Sequence, residues 1–499
     1  MKKRTLALLL TLLMIAPSVI SCSESSENAA EEAPVSAEAA SAEETPASAE
    51  EEPEADARLE CAVPAGLDLG GEAVGILTFR DDAVNTYISV TETTGELFND
   101  AMFTANQTVM EELNCSFDFI DNGNIEPGNL QNAVAAGDEV YDIVYGTQWK
   151  VAPLVSQHIF ANLNPSAGGY IDYEKPWWYS NYIDETEVDN THTYFLAGDA
   201  SPDIIRRSSM MILNTDLLTD IGGDVNEVYD TILDGNWTYD EMSSLVGKLY
   251  IDTNGDGQRS EADTFGFASW TRSDVDHFMI DAGVRGCSRD ADGVPYITFN
   301  NETTVKFVEK LVDFLWNNEG AYYVEQIPTL QMLANNQAML LCEKFSRLDL
   351  IRDIDTNFTI IPVAKLDNTI ESYSSLVHDD ALILSIPIVS TNVENLTAVL
   401  EKLSYNYYYD VMPQYYEVIL KTKYRRDSSD AASQMLDLIH SSMTTDFAYI
   451  YNYGMSNMMI SLRDLIGVSK STDFASSFAK QEKAYTKVLS KLVDAMKNE

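Results

Sequence analysis

The sequence predicts an α/β protein of two globular lobes behind a separate N-terminal leader and spacer. Strand-like and helix-like stretches alternate along the chain, which builds parallel α/β layers. The part after residue 59 holds about 440 residues, more than one hydrophobic core ordinarily organises. Composition also changes abruptly near residue 58, which sets the N-terminal segment apart from the globular part.

Residues 1–21 read as a lipoprotein signal peptide. Lys2, Lys3 and Arg4 form a basic start, and Thr5 to Met14 form an apolar run too short to span a bilayer. The run leads to Val19-Ile20-Ser21-Cys22, which resembles a bacterial lipobox, with cleavage before Cys22 and diacylglycerol on its thiol. Two acyl chains anchor stably where one is marginal. Residues 22–59 then form an acidic tether of Ser, Ala, Glu and Pro. Between Ser23 and Ala57 there is no basic and no aromatic residue to support a core, and the charges repel. Such a tether reaches about 30–36 Å as a flexible coil. Together these features place the globular part at the outer face of a cell membrane, held by lipid alone.

With 32 basic and 79 acidic residues the net charge is −47, which excludes nucleic acid as a partner. Cys61, Cys115, Cys287 and Cys342 are spread widely and have no metal-ligand spacing; a disulfide among them stays open.

Along the globular part, Ala73 to Phe79 reads as a strand that ends at polar Arg80-Asp81-Asp82. A helix follows over 95–113, with Phe98, Ala101, Met102, Ala105, Val109 and Leu113 on one face. Asn114 to Ile120 alternates as a strand, and Val140 to Tyr145 is a short buried-type strand running into Gly146-Thr147-Gln148-Trp149. A second series opens at Met210 to Asn214, with helices over 303–316, 393–405 and 472–497. Thr238-Tyr239-Asp240-Glu241 is a capping box with Trp237 and Met242 at the staple positions, so Trp237 fixes a helix start and is no ligand platform.

One motif has metal chemistry. From Asp252 to Asp263 the chain has the spacing of a calcium loop. Asp252, Asn254 and Asp256 supply oxygens, Gly257 allows the turn, Gln258 offers its carbonyl, and Ser260 binds directly or through water. Asp263 stands where a longer Glu is usual, and Glu261 is the alternative closing ligand. All ligands come from one loop, so the expected Ca²⁺ is structural.

Several segments taken together resemble the extracellular solute-binding proteins of bacterial carbohydrate ABC importers. They are Gly95-Glu96-Leu97-Phe98-Asn99-Asp100-Ala101, Lys175-Pro176-Trp177-Trp178 and Leu213-Asn214-Thr215-Asp216-Leu217-Leu218. The calcium loop follows, running into Thr264-Phe265-Gly266, and then Ile360-Ile361-Pro362-Val363-Ala364-Lys365 and Pro413-Gln414-Tyr415-Tyr416. Asn106-Gln107 departs from the expected Arg-Asn pair. The resemblance implies a two-lobed periplasmic-binding-protein type II fold, like maltose-binding protein. One lobe would hold 60–205 plus 380–445, the other 206–379 plus 446–499. Hinge crossings would lie near Ile205, His378 and Met443. It also implies a monomer that takes a carbohydrate between the lobes and passes it to permease subunits.

Sugar sites combine polar groups for hydroxyls with aromatic platforms for C–H faces, and open α/β layers bind beyond the carboxyl ends of strands. Arg80, Asp81 and Asp82, Trp149, and Trp270 meet both demands. Trp177 and Trp178 are placed either at the cleft wall or in lobe packing, and Tyr373 and Asp379 near a crossing complete the set. A polysaccharide-active secreted enzyme is the rival reading, and a calcium-dependent adhesin a second. No nucleophile elbow, phosphate loop or dinucleotide fingerprint favours the enzyme, and the calcium loop occurs once only.

Overall fold

The computed structural model describes residues 58–79, 89–121, 127–269, 273–324, 326–416, 420 and 429–498. The leader, Cys22 and the tether lie outside the described residues, as do Arg80, Asp81, Asp82 and Trp270.

The first lobe opens with β1 (Glu72–Phe79), whose last six residues are buried. The helix Leu97–Leu113 buries Phe98, Met102, Ala105, Asn106, Val109 and Leu113, so the expected apolar face is the one that packs. Asn114 ends it at φ 49°, a left-handed conformation that Asn tolerates, and the chain turns directly into β2 (Cys115–Asp121). The next strand, β3 (Ile143–Thr147), begins later than the sequence indicates. Val140 is exposed, and Asp142 is spent on a side-chain bond from the Gly75 amide at 2.7 Å. Both β2 and β3 pair parallel to β1.

The second lobe contains β4 (Ser209–Asn214), β5 (Tyr250–Ile251) and β6 (Thr264–Ser269). A hairpin of β7 (Cys287–Arg289) and β8 (Pro295–Ile297) follows, then β9 (Ala321–Tyr323), β10 (Ala338–Lys344) and β11 (Phe358–Ile361). The sheet order is β11-β4-β10-β6-β5, with β9 also on β6. Strands β6, β9 and β10 are parallel, and β4 runs against β10 and β11. Gly266 in β6 is required by close approach, since a Cβ there would lie 2.1 Å from the Val246 carbonyl oxygen.

Three connecting strands finish the frame: β12 (Ser375–Leu376), β13 (Leu382–Ser385) and β14 (Met443–Thr444). The β13 strand returns to the first sheet antiparallel to β3, giving the order β13-β3-β1-β2.

Two expectations change. The terminal helix over 472–497 is two helices, Phe474–Ala479 and Glu482–Lys497. The break lets Phe474 and Phe478 both pack on Phe299, at 5.1 and 5.7 Å, while Tyr485, Leu489, Leu492 and Met496 are buried on the second segment. The lobes are also less separate than two isolated cores would be, because one connected apolar cluster runs through both sheets. The β7–β8 hairpin reaches the first series, where Arg289 donates to the Glu187 carbonyl at 2.7 Å, and the Tyr451 hydroxyl donates to the Thr186 carbonyl at 2.7 Å.

The four described cysteines are all free thiols. Trp237 is interior as expected, its indole N–H donated to the Pro362 carbonyl at 3.1 Å, and Thr238 caps the Glu241 amide.

Candidate functional site

The segments before β4, around β12 and around β14 run side by side. Val377 N donates to the Thr444 carbonyl at 2.8 Å, Ser375 N to Ser442 at 2.9 Å, and His378 N to Arg207 at 3.0 Å. The carboxyl ends of both sheets arrive here. Trp149, just past β3, donates its amide to the Asp379 carbonyl at 3.0 Å. Lys344, the last residue of β10, places Nζ 2.7 Å from Asp380 Oδ2.

Asp380, itself half-buried, is the centre of a partly buried ion cluster. Its Oδ2 also lies 3.1 Å from Arg207 Nη1, and its Oδ1 is 3.0 Å from His378 Nδ1. His378 contacts Asp379 Oδ1 at 3.0 Å as well. Arg463 binds both oxygens of Asp276, with Nε to Oδ1 at 2.8 Å, and its Nη2 lies 3.5 Å from Asp379 Oδ2. The Tyr449 hydroxyl completes Asp276 at 2.8 Å. Burying these charges is tolerable because each is paired and hydrogen-bonded.

The same pairing sets the protonation states. Burial opposes a charge on His378, but Asp379 and Asp380 outweigh it and raise its pKa to about 9. Burial likewise opposes the Asp380 charge, yet Lys344 and His378 hold that carboxyl far below the usual range. His277, whose ring centroid is 5.3 Å from that of His378, is driven the other way by burial and by the neighbouring cation, so it is the neutral member of the pair.

Above this cluster stands an aromatic corner. Trp149 and Tyr453 have ring centroids 5.7 Å apart at 44°, and Lys150 Nζ lies 4.9 Å from the Trp149 ring. Tyr453 is 39% exposed, unusual for an aromatic set among buried ions. The two rings come from opposite ends of the chain and offer apolar faces beside charged donors and acceptors, which is the chemistry a polyhydroxylated solute requires.

Sequence reasoning had placed Trp149 and Asp379, and the structure brings these two together. Tyr453, Lys344, His378, Arg463 and Asp276 were missed as site residues. Lys344 had a usable signal, since it ends a strand at the same edge as Trp149. Tyr453 had none, being one of 26 tyrosines. Trp177 and Trp178 do not line a gap: they are 0% and 3% exposed and give their indole N–H groups to the two oxygens of Glu401, at 3.0 and 2.7 Å. They are lobe packing. Tyr373 is buried too, its hydroxyl donating to the Ile232 carbonyl at 3.0 Å and accepting from the Trp237 amide at 3.1 Å. It stands in the second lobe just before β12.

No family model matches this chain, and no curated protein does. Solved structures do match. The cyclic α-maltosyl-1,6-maltose binding protein of Arthrobacter globiformis superposes with TM-score 0.56 and 12% identity, over 84% of this chain and 99% of its own. An ABC transporter solute-binding protein of Thermotoga lettingae, bound with α-D-tagatose, gives 0.53 and 13%, over 84% and 100%. The maltose/maltodextrin-binding domain MalE of Bdellovibrio bacteriovorus, bound to maltotriose, gives 0.50 and 15%, over 85% and 98%. The fold is that of ABC-transporter solute-binding proteins. In this two-lobed α/β fold the crossing strands, the ion cluster and the Trp149–Tyr453 corner all lie where the two sheets meet.

The calcium-type loop of the second lobe is wound through its own amides. Asp252 accepts from Gly255 N at 2.8 Å and Gly257 N at 2.9 Å, Asn254 from Asp256 N at 2.9 Å, and Asp256 from Gln258 N at 2.7 Å. Of the two closing candidates, Asp263 is turned inward and accepts from Thr253 N at 3.1 Å and Ser260 N at 2.9 Å, whereas Glu261 is exposed. The Ser260 hydroxyl is engaged by the Ala262 amide at 3.3 Å. Among the described residues no three His, Cys, Asp or Glu side chains converge as a metal cluster.

The buried titrating groups set the pH profile of stability. Burial raises Asp199, Glu343, Glu401 and Asp446 to about 7, and His378 stands at about 9. Each folded pKa lies above its unfolded value. The stabilisation is therefore full below the unfolded pKa and drains away as pH rises through 7 for the carboxyls and 9 for His378. At the acid end, burial opposes the charge of Asp189 and Asp367, but hydrogen bonds from His192 and from Lys306 hold both near 2. Their contribution is lost as pH falls toward that value. Melting temperature is expected to be higher at about pH 6 than at about pH 9. Calorimetric scans that stay level or rise over that interval would contradict the assignment.

Proposed function

We propose that this chain is the solute-binding lipoprotein of an ABC importer and captures a carbohydrate between its two lobes for delivery to permease subunits. The observation that carries the reading is the Trp149–Tyr453 corner set over the Asp380 ion cluster at the meeting of the two sheets. The sugars bound by the structurally similar proteins support the solute class. The segments around Ile205, His378 and Met443 are the hinge, and the lobe boundaries of the sequence reading follow from it. Arg80, Asp81, Asp82 and Trp270, next in sequence after β1 and β6, lie outside the described residues and are carried into this proposal from the sequence alone. Solute contacts made in both lobes offset the ordering cost of bringing them together. The rival, an enzyme acting on polysaccharide, would need two carboxylates set about a scissile bond. The carboxylates at this site are instead tied up by Lys344, Arg207, His378 and Arg463.

Trp149→Ala and Tyr453→Ala are each expected to weaken sugar binding about tenfold or more while leaving the melting temperature within a few degrees, since stacking contacts carry on the order of 1 kcal/mol. Calorimetry against a sugar that stabilises the wild-type protein measures this. Unchanged affinity in both variants, or turnover of the sugar, would overturn the reading.

Export and anchoring at Cys22 belong to the same proposal. Native protein is expected in the detergent phase of a phase-partition experiment and Cys22→Ser in the aqueous phase; native protein in the aqueous phase would rule out the anchor.

We also propose calcium in the loop over 252–263. Its turn is already set by Asp252, with Gly255 and Gly257 at φ +71° and +74°. The oxygens of Asp252, Asn254 and Asp256 keep lone pairs beyond those the amides use, and Asp263 and the Gln258 carbonyl would complete the set. Calcium would brace the start of β6. Added calcium is expected to raise the melting temperature relative to chelator, and Asp252→Ala to abolish the shift. No shift in the wild-type protein would leave the amide ladder as the loop's sole closure.

A further inference from the structure

A cavity of about 500 Å³ lies beside the crossing strands, and neither Trp149 nor Tyr453 lines it. Its position follows from the topology. Lys344 ends β10 and Trp149 stands just past β3, while this cavity is lined by Gly235 and by Tyr373. The Tyr373 hydroxyl accepts from the amide of Trp237, whose indole bonds the Pro362 carbonyl just past β11. In the second sheet β4 lies between β10 and β11, and β4 is the strand that leaves the crossing at Ser208. None of the corner or ion-cluster residues lines the cavity.

Both lobes build the cavity. Asn181 comes from the helix Ser180–Thr186, and Leu438 and Ser441 from the helix Asp430–Ser441. Facing them are Ile232, Arg285, Glu371 and Ser374 of the second lobe. Several polar groups in this lining are uncommitted. Arg285 spends Nη1 on the carbonyls of Ile280 and Val284, at 3.0 Å each, and among the described residues nothing engages its Nε or Nη2. The Asn181 amide, the Ser374 hydroxyl and the Glu371 carboxylate likewise have no partner among the described residues. Ile232 and Leu438 supply apolar surface.

We propose that this cavity is a second ligand site, for a small neutral polyhydroxylated molecule, and that occupancy there is coupled to the cleft. The volume lies within the range of small-molecule sites, and apolar walls with a few convergent polar groups are their usual lining. Separate donors and acceptors on opposite walls match hydroxyls, which do both. A carboxylate ligand fits less well, because Arg285 already balances the nearby acids Glu185, Asp446 and Asp281, and Glu371 adds another negative charge. Since the walls belong to different lobes, any lobe rotation reshapes the cavity. A ligand preferring one arrangement must then change cleft affinity, and the reverse holds by linkage.

The test is isothermal calorimetry on the mature chain with sorbitol and trehalose as neutral probes and gluconate as the acidic one. A saturable heat with at least one neutral probe is expected, distinct from the non-saturating stabilisation of excluded osmolytes. It should persist in Trp149→Ala, which affects only the cleft, and weaken about tenfold or more in Asn181→Leu and Ser374→Trp. Asn181 is exposed, so that variant should keep its unliganded melting temperature. Stronger binding of gluconate than of either neutral probe would overturn the ligand class. No saturable heat with any probe, or heat lost in Trp149→Ala and retained in the other two variants, would overturn the site.

Discussion

One carboxylate, that of Asp380, ties the two sheets together at the crossing segments. Lys344 arrives from the end of β10, Arg207 from the segment before β4, and His378 from the same turn as Asp380 itself. Three cations on one half-buried anion would be excessive if His378 were not also held by Asp379, and if Asp379 were not within reach of Arg463. A low-dielectric setting makes each such pair strong and each broken pair expensive. The two sheets are therefore registered to each other through charge at the crossing as well as through the apolar cluster around it.

That arrangement explains why the aromatic corner can work. Trp149 is fixed by the hydrogen bond its amide donates to the Asp379 carbonyl, and Tyr453 is placed beside Arg463, which is held by Asp276, itself an acceptor from Tyr449. The rings stand on a rigid polar base, and rigid placement lowers the ordering cost of stacking against a solute. The cavity on the far side of β12 and β14 has the opposite character: its polar groups are loosely held and come from both lobes.

Much of the fold was legible in the sequence because periodicity reports burial. Phe98, Met102, Ala105, Val109 and Leu113 point inward as their spacing requires, and Thr238 caps its helix as its motif requires. Boundaries were less legible. Val140 resembles a strand residue in composition, but Asp142 had been recruited by the Gly75 amide, a tertiary bond that no local pattern records. The unbroken 472–497 stripe hid a turn that Phe299 demands.

Of the candidate site, Trp149 was legible from its place past a strand end and Asp379 from its place near a crossing. The sequence left Trp177 and Trp178 open between cleft wall and lobe packing because an aromatic pair looks the same in both. Their partner, Glu401, lies more than two hundred residues away in the chain. Tyr453 lies about three hundred residues from Trp149 in the sequence, which is why the corner emerges only in three dimensions. The central claim, that a solute draws two charge-registered lobes together about these crossings, is tested most directly by small-angle X-ray scattering of the mature chain as a stabilising sugar is added. The account predicts a radius of gyration that falls and saturates with the sugar. A radius unchanged at full occupancy would contradict it.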